Sequence, residues 1–276
     1  MRYRRLTLVS GPEPYCAELI PLLEDKLTAE AVSELKFEEV RGHAPKMRTA
    51  GHFLEQTVAY CCRNKLRVDV LLWDNYDSRH AISHRDDEAN LVRMYYKNLL
   101  HVARRWGAVQ WRFLPDEQSG VEWNELRNFL NNTRLEKPAQ RGMSLFPKSN
   151  PFLEFEPIVS QNSVLHSLIQ TADLFGGLSR FSHEKGREYL KWIGSEEAKE
   201  QPGLFLLDDN TEVGDSKADR VRFSLLRKLD GLCKQSKLGV SLRTWSALST
   251  PNPNNPINFW NYVPQHEMDK APTKSG

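Results

Sequence analysis

Four side chains in this sequence have the types and settings that hydrolytic phosphate chemistry uses: Glu34, Lys36, Asp116 and Asp173. Asp116 follows an apolar stretch ending at Leu114. Asp173 lies in Ile169-Gln170-Thr171-Ala172-Asp173-Leu174-Phe175-Gly176-Gly177, a helix that is otherwise apolar and small. Glu34 opens Glu-Leu-Lys-Phe, with Lys36 two residues on. In open α/β sheets, groups at the carboxyl ends of strands converge on a crevice. Carboxylates gathered there repel, and a hard divalent cation with oxygen ligands relieves the repulsion. Such ions activate a water and stabilise the leaving oxygen of a phosphodiester. Glu34, Asp116 and Asp173 are therefore the expected ligands of Mg²⁺ or Mn²⁺. Each has a simpler alternative. Asp116 after Pro115 suits a turn, and Glu34 with Lys36 makes an ordinary surface pair. A carboxylate on an apolar helix, as Asp173 is, must be paired, metal-bound or on a narrow polar seam.

Basic residues cluster rather than spread, since 38 Lys and Arg stand against 36 Asp and Glu for a net charge of +2. A charge so balanced excludes general attraction to polyanions, so any such site must be local. The stretch 131–150 is polar, punctuated by Pro138, Gly142 and Pro147, and reads as a loop. Its Arg134, Lys137 and Arg141 are the expected nucleic-acid contacts, closing over a polyanion as a lid; the alternative is a tolerated insertion. The loop 74–87 is rich in ionisable groups, and Asp86 or Asp87 is expected to cap the helix after it. No Gly-rich phosphate loop, GxSxG elbow or HExxH occurs, which excludes the standard nucleotide-binding, acyl-transfer and zinc-protease signatures.

The elements that must position these groups alternate. A strand is expected over 6–11 and a helix over Pro14–Leu27. Residues 33–40 read as a strand or extended turn, and 50–64 as a helix with Phe53, Thr57, Val58 and Cys61 inward. Leu66–Trp73 is the clearest strand. A helix over 88–106, a strand over 109–114, a helix over 123–130, a strand over 156–160 and a helix over 164–182 follow. Strand–helix alternation argues for an α/β fold with parallel pairings. The expected domains are 1–185, and 186–276 as an irregular extension pinned by Phe259, Trp260 and Tyr262. With 12 Phe, 8 Tyr and 7 Trp the 276 residues can bury a core, which excludes wholesale disorder. No apolar run nears the ~20 residues that span a bilayer, and MRYRRLTLVSG is no signal peptide; a cytoplasmic protein is expected. Cys16, Cys61, Cys62 and Cys233 include no CxxC, so buried reduced thiols are expected rather than zinc.

The stretches SELKFEEVR (33–41), LLWDNYDSRH (71–80), NLVRMYYKNLL (90–100), PDEQS (115–119) and SVLHSLIQTADLFGGLSR (163–180) resemble a prokaryotic family known as domain of unknown function 3800, placed among ribonuclease H-like folds. The resemblance covers most of 6–185. It implies a ribonuclease H-like mixed sheet and a metal-dependent nuclease or phosphodiesterase, with Glu34, Asp116 and Asp173 as carboxylates and Lys36 near the phosphate. The setting it implies is defence or mobile elements. The family usually opens with a strand carrying Asp-Glu-Ser-Gly, whose Asp is the central metal ligand. No such tetrapeptide occurs here, and the chain starts at what resembles the family's second strand. The alternative is therefore a non-catalytic nucleic-acid or protein-binding module on the same fold. A small-molecule phosphohydrolase would use the same site.

Overall fold

A computed structural model describes residues 2–80, 87–107, 110–117, 120–135, 152–200, 216–242 and 247–264. In chain order the elements are β1 (Tyr3–Ser10), α1 (Glu13–Ala29), a 3-10 turn (Phe37–Glu39), α2 (Ala44–Cys62), β2 (Arg67–Asp74), α3 (Asp87–Trp106), β3 (Gln110–Trp111), α4 (Trp123–Asn131), β4 (Glu154–Phe155), α5 (Ser167–Glu200), α6 (Lys217–Gln235) and β5 (Ile257–Asn261). The fold is mixed α/β. It divides into two compact units, Met1–Leu72 with Ser167–Tyr262, and Trp73–His166 with Val263–Gly276.

In the first unit the strand order is β1-β2-β5. Both faces of β2 are buried, with Val68, Val70 and Leu72 on one side and Leu71 and Trp73 on the other. Such a continuous apolar run is what a sheet covered by helices on both faces demands. β5 pairs with β2 in parallel, Val68 opposite Ile257 and Val70 opposite Phe259. Between them the buried Asp69 accepts from Arg67 at 3.1 Å and from Asn258 at 3.3 Å. The charge is thus kept inside only because it is paired and hydrogen-bonded. α1 buries Leu19, Leu23 and Leu27, four residues apart on one face. α2 buries Phe53, Thr57, Val58 and Cys61 as expected.

Two glycines let α5 approach its neighbours. A Cβ on Gly176 would lie 2.3 Å from Thr7 Oγ1, and one on Gly177 would lie 2.2 Å from Cγ of Phe37. Helix α5 therefore lies directly against β1 on one glycine and against the 34–41 turn on the other.

In the second unit α3 and α4 pack together beside a short parallel pairing of β3 with β4. Tyr95, Phe113 and Trp123 form a ring cluster with centroids 5.2–6.1 Å apart. The capping position of α3, expected at Asp86 or Asp87, lies outside the described residues.

Several expectations need correction. Of the two forms expected for residues 33–40, the strand is absent and the extended turn is what forms, an extended entry and the 3-10 turn. The strand expected over 109–114 is regular only at Gln110–Trp111, and the one expected over 156–160 lies earlier, at Glu154–Phe155. The helix expected to end near Ser182 continues to Glu200 across a kink at Lys185 (φ −127°, ψ 18°). The boundary expected at residue 185 therefore falls inside α5, and the extension supplies α6 and β5 to the first unit. Of the cysteines, Cys61 and Cys233 are buried, Cys16 is half-buried and Cys62 is exposed. Burial pushes the Cys61 thiol up and the Cys233 thiol to about 12, so neither is a ready nucleophile.

Candidate functional site

Gln170, Asp173, Gly177 and Arg180 are spaced three, four and three residues apart, which puts them on one stripe of α5. That stripe reads along the turn residue by residue. The Gln170 side-chain oxygen accepts from the Leu35 amide at 2.9 Å, and Asp173 Oδ2 accepts from the Phe37 amide at 2.7 Å. Gly177 lies under the Phe37 ring, and the Arg180 guanidinium donates to the Glu38 carboxylate. The other oxygen of Asp173 accepts from Arg5 on β1. A backbone amide and a guanidinium on one carboxylate are charge-assisted contacts, stronger than neutral ones. Asp173 is thus paired, one of the three fates its apolar helix allowed.

Beyond Phe37 the turn is framed by cations. Arg222 of α6 donates to the Glu38 carbonyl at 3.0 Å and reaches its carboxylate at 3.4 Å. Its guanidinium also lies over the Phe37 ring, 4.8 Å from the centroid, close enough for cation–π attraction. Arg41 donates its Nε to the same Glu38 carbonyl at 2.6 Å. Three arginines thus converge on one residue, whose side chain is 47% exposed. The next acid, Glu184, comes only to 3.7 Å from Arg180. Burial, then the Arg5 charge, holds the Arg180 pKa below the usual arginine range; burial and Arg41 do the same to Arg222. The buried Nε of Arg222 has no hydrogen-bond partner.

Of the residues expected from sequence, Glu34, Lys36 and Asp173 lie in this unit. Lys36 Nζ pairs with Glu34 at 2.9 Å, the surface pair that the alternative described. Asp116 belongs to the second unit. There it is exposed, its Oδ1 accepts from the Glu117 amide at 3.0 Å, and it bridges to Gln161. That is the turn role open to it. Burial, then the Asp116 charge, pushes the Tyr95 hydroxyl above its ordinary range. Arg134 lies over the Phe152 ring at 4.4 Å; Lys137 and Arg141 lie outside the described residues. The second unit also has a shallow cleft of about 600 Å³. It is lined by both acids and bases, including Arg127, Glu154 and Glu156. Among the described residues no three Asp, Glu, His or Cys side chains stand together as metal ligands would. No described helix is long and apolar enough to cross a membrane.

Sequence reasoning missed Glu38, Arg41, Arg180 and Arg222. Arg180 was within reach, because it stands seven residues after Asp173 and so on the same face. Arg222 was not, since only tertiary packing brings α6 to the turn.

No family model and no solved structure matches the chain. Two proteins of Methanothermobacter thermautotrophicus do, uncharacterized protein ORF2 and uncharacterized protein ORF2′. Each is 37% identical over 283 residues, which cover 99% of this chain and 93% of the relative. Identity at that level along nearly the whole length means that the two-unit α/β architecture and the 34–41 turn lie within the shared region. The chain belongs to the family of these ORF2 proteins.

Proposed function

We propose that the protein binds the phosphate backbone of a nucleic acid at the 34–41 turn of the first unit. The observation that carries this reading is the convergence of three arginines on Glu38, Arg180 and Arg222 on its carboxylate and Arg41 and Arg222 on its carbonyl. Guanidiniums present planar forks that match phosphate oxygens, and three of them gathered at one turn suit a local anion site. The near-neutral overall charge fits this picture, because attraction is then confined to the site. Titrating a labelled single-stranded oligonucleotide against the protein at rising salt tests it. Log K is expected to fall with log salt at about −0.7 per phosphate contacted. Arg41→Ala is expected to flatten that slope by about one contact. No binding at low salt, or binding indifferent to salt, rejects the proposal.

Metal-dependent cleavage on a ribonuclease H-like fold is the second reading. It is favoured by Glu34, Lys36 and Asp173 flanking one turn. The first unit alone does not fit the ion, however. Glu34 and Asp173 are each paired with a cation, and a Mg²⁺ bound there would have to compete with Lys36 and Arg5. Calorimetric titration with Mn²⁺ decides the matter: this reading requires binding heat in the parent that Asp173→Asn removes, and it fails if the two proteins respond alike.

A further inference from the structure

We infer that the Glu38 carboxylate occupies the position of a ligand phosphate and is displaced when the ligand binds; this rests on the nucleic-acid reading above. Arg180 and Arg222 meet the Glu38 carboxylate, while Arg41 and Arg222 meet its carbonyl. The carbonyl is fixed by the backbone of the turn. The carboxylate is held only by its side-chain torsions and stands about half in solvent. The Arg180 and Arg222 side chains are only 8% and 12% exposed, so Glu38 is the end of these pairs that solvent reaches and that a ligand can replace, provided the ligand pairs the guanidiniums in its stead. A phosphodiester brings two anionic oxygens to the same guanidiniums with no tether to bend. It can also engage donors that Glu38 leaves unused, among them the buried Nε of Arg222. Arg41 contributes as well, since its Nε is committed to the Glu38 carbonyl and its terminal nitrogens bond no described residue. The site is thereby held closed to weak monovalent anions and opens to a polyanion that brings several phosphates at once.

This makes Glu38 an internal competitor, so removing its charge should tighten binding rather than weaken it. Glu38→Gln keeps the shape and deletes the charge. The probes are a labelled ten-nucleotide single strand and, separately, inorganic phosphate. Oligonucleotide affinity is expected to rise about tenfold at low salt, since a unit charge is then removed within contact distance of the ligand. The rise is expected to shrink as salt screens it. Inorganic phosphate, undetectable or weak in the parent, is expected to bind measurably in the variant. Should Glu38→Gln lower the melting temperature enough to confuse the titration, Glu38→Asp serves instead. It withdraws the carboxylate by one methylene and is expected to give a smaller rise in the same direction. Equal or weaker oligonucleotide binding in both folded variants, with the parent binding, overturns the displacement and leaves the nucleic-acid reading standing. Failure of the parent and both variants to bind at low salt removes that reading and this inference with it.

Discussion

Residues 34–37 enter the turn through backbone amides, Leu35 to Gln170 and Phe37 to Asp173, whereas residues 38–41 leave it among arginines that share the Glu38 carboxylate. At the entry each polar group has a short directed bond, and the ring of Phe37 is fully buried against Gly177. At the exit one half-exposed carboxylate meets two guanidiniums, with a third on the carbonyl of the same residue. The entry resists change because every group there is committed. The exit is exchangeable, because its carboxylate is half-exposed and reached from solvent. A binding site needs both, a fixed frame and a contact that the ligand can replace.

Breaking the frame should have the largest effect. Gly177→Ala puts a Cβ 2.2–2.5 Å from three atoms of Phe37. Overpacking of that kind destabilises by about 3 kcal/mol, read as a lower denaturation midpoint with an unchanged slope. Oligonucleotide binding should fall with it, because the turn must move. Asp173→Asn should follow at about 2 kcal/mol, the scale of a hydrogen bond to a charged group. By contrast Glu38→Gln should cost less than Asp173→Asn, because the side chain is 47% exposed and the amide oxygen still accepts from the guanidiniums. Equal losses from Asp173→Asn and Glu38→Gln would erase the difference between entry and exit.

The smallest effect sharpens the comparison from outside the turn. Glu30, bonded first to Arg48 and then to Lys26, has its pKa held down to about 2 from an ordinary 4.5. A depressed carboxylate contributes stability above its unfolded pKa and loses it as pH falls through the folded one. Acid titration of stability should therefore show a shallow loss between about pH 4.5 and 2, and Glu30→Gln should flatten that segment. The neutral-pH binding should be untouched. An unchanged acid limb in Glu30→Gln would show that the Arg48 pair contributes nothing.

The sequence made parts of this legible and hid others for physical reasons. Strand β2 and helices α1 to α4 were readable because burial imposes a period on side chains, as with Leu19, Leu23 and Leu27. Strand β5 was hidden in a Pro- and Asn-rich tail, where five residues are too few to show alternation and Asn258 is buried for a polar reason, its bond to Asp69. The length of α5 was missed because charged residues past Lys185 look like loop composition while α5 in fact continues through them. Asp173 stood out as a lone charge on an apolar helix and does organise the site. Its partner Arg5 could not be read from the sequence, because a pairing across 168 residues leaves no local mark.

The central claim is that Arg41, Arg180 and Arg222 receive the phosphate. The most direct measurement is the side-chain Nε–H NMR signals of the arginines, assigned by single Arg→Lys variants and followed as a short oligonucleotide is added. The account predicts that the signals of Arg41, Arg180 and Arg222 shift together along one binding curve. Arg48, paired with Glu30, should stay in place. Shifts confined to Arg134, or none at saturating oligonucleotide, would contradict it.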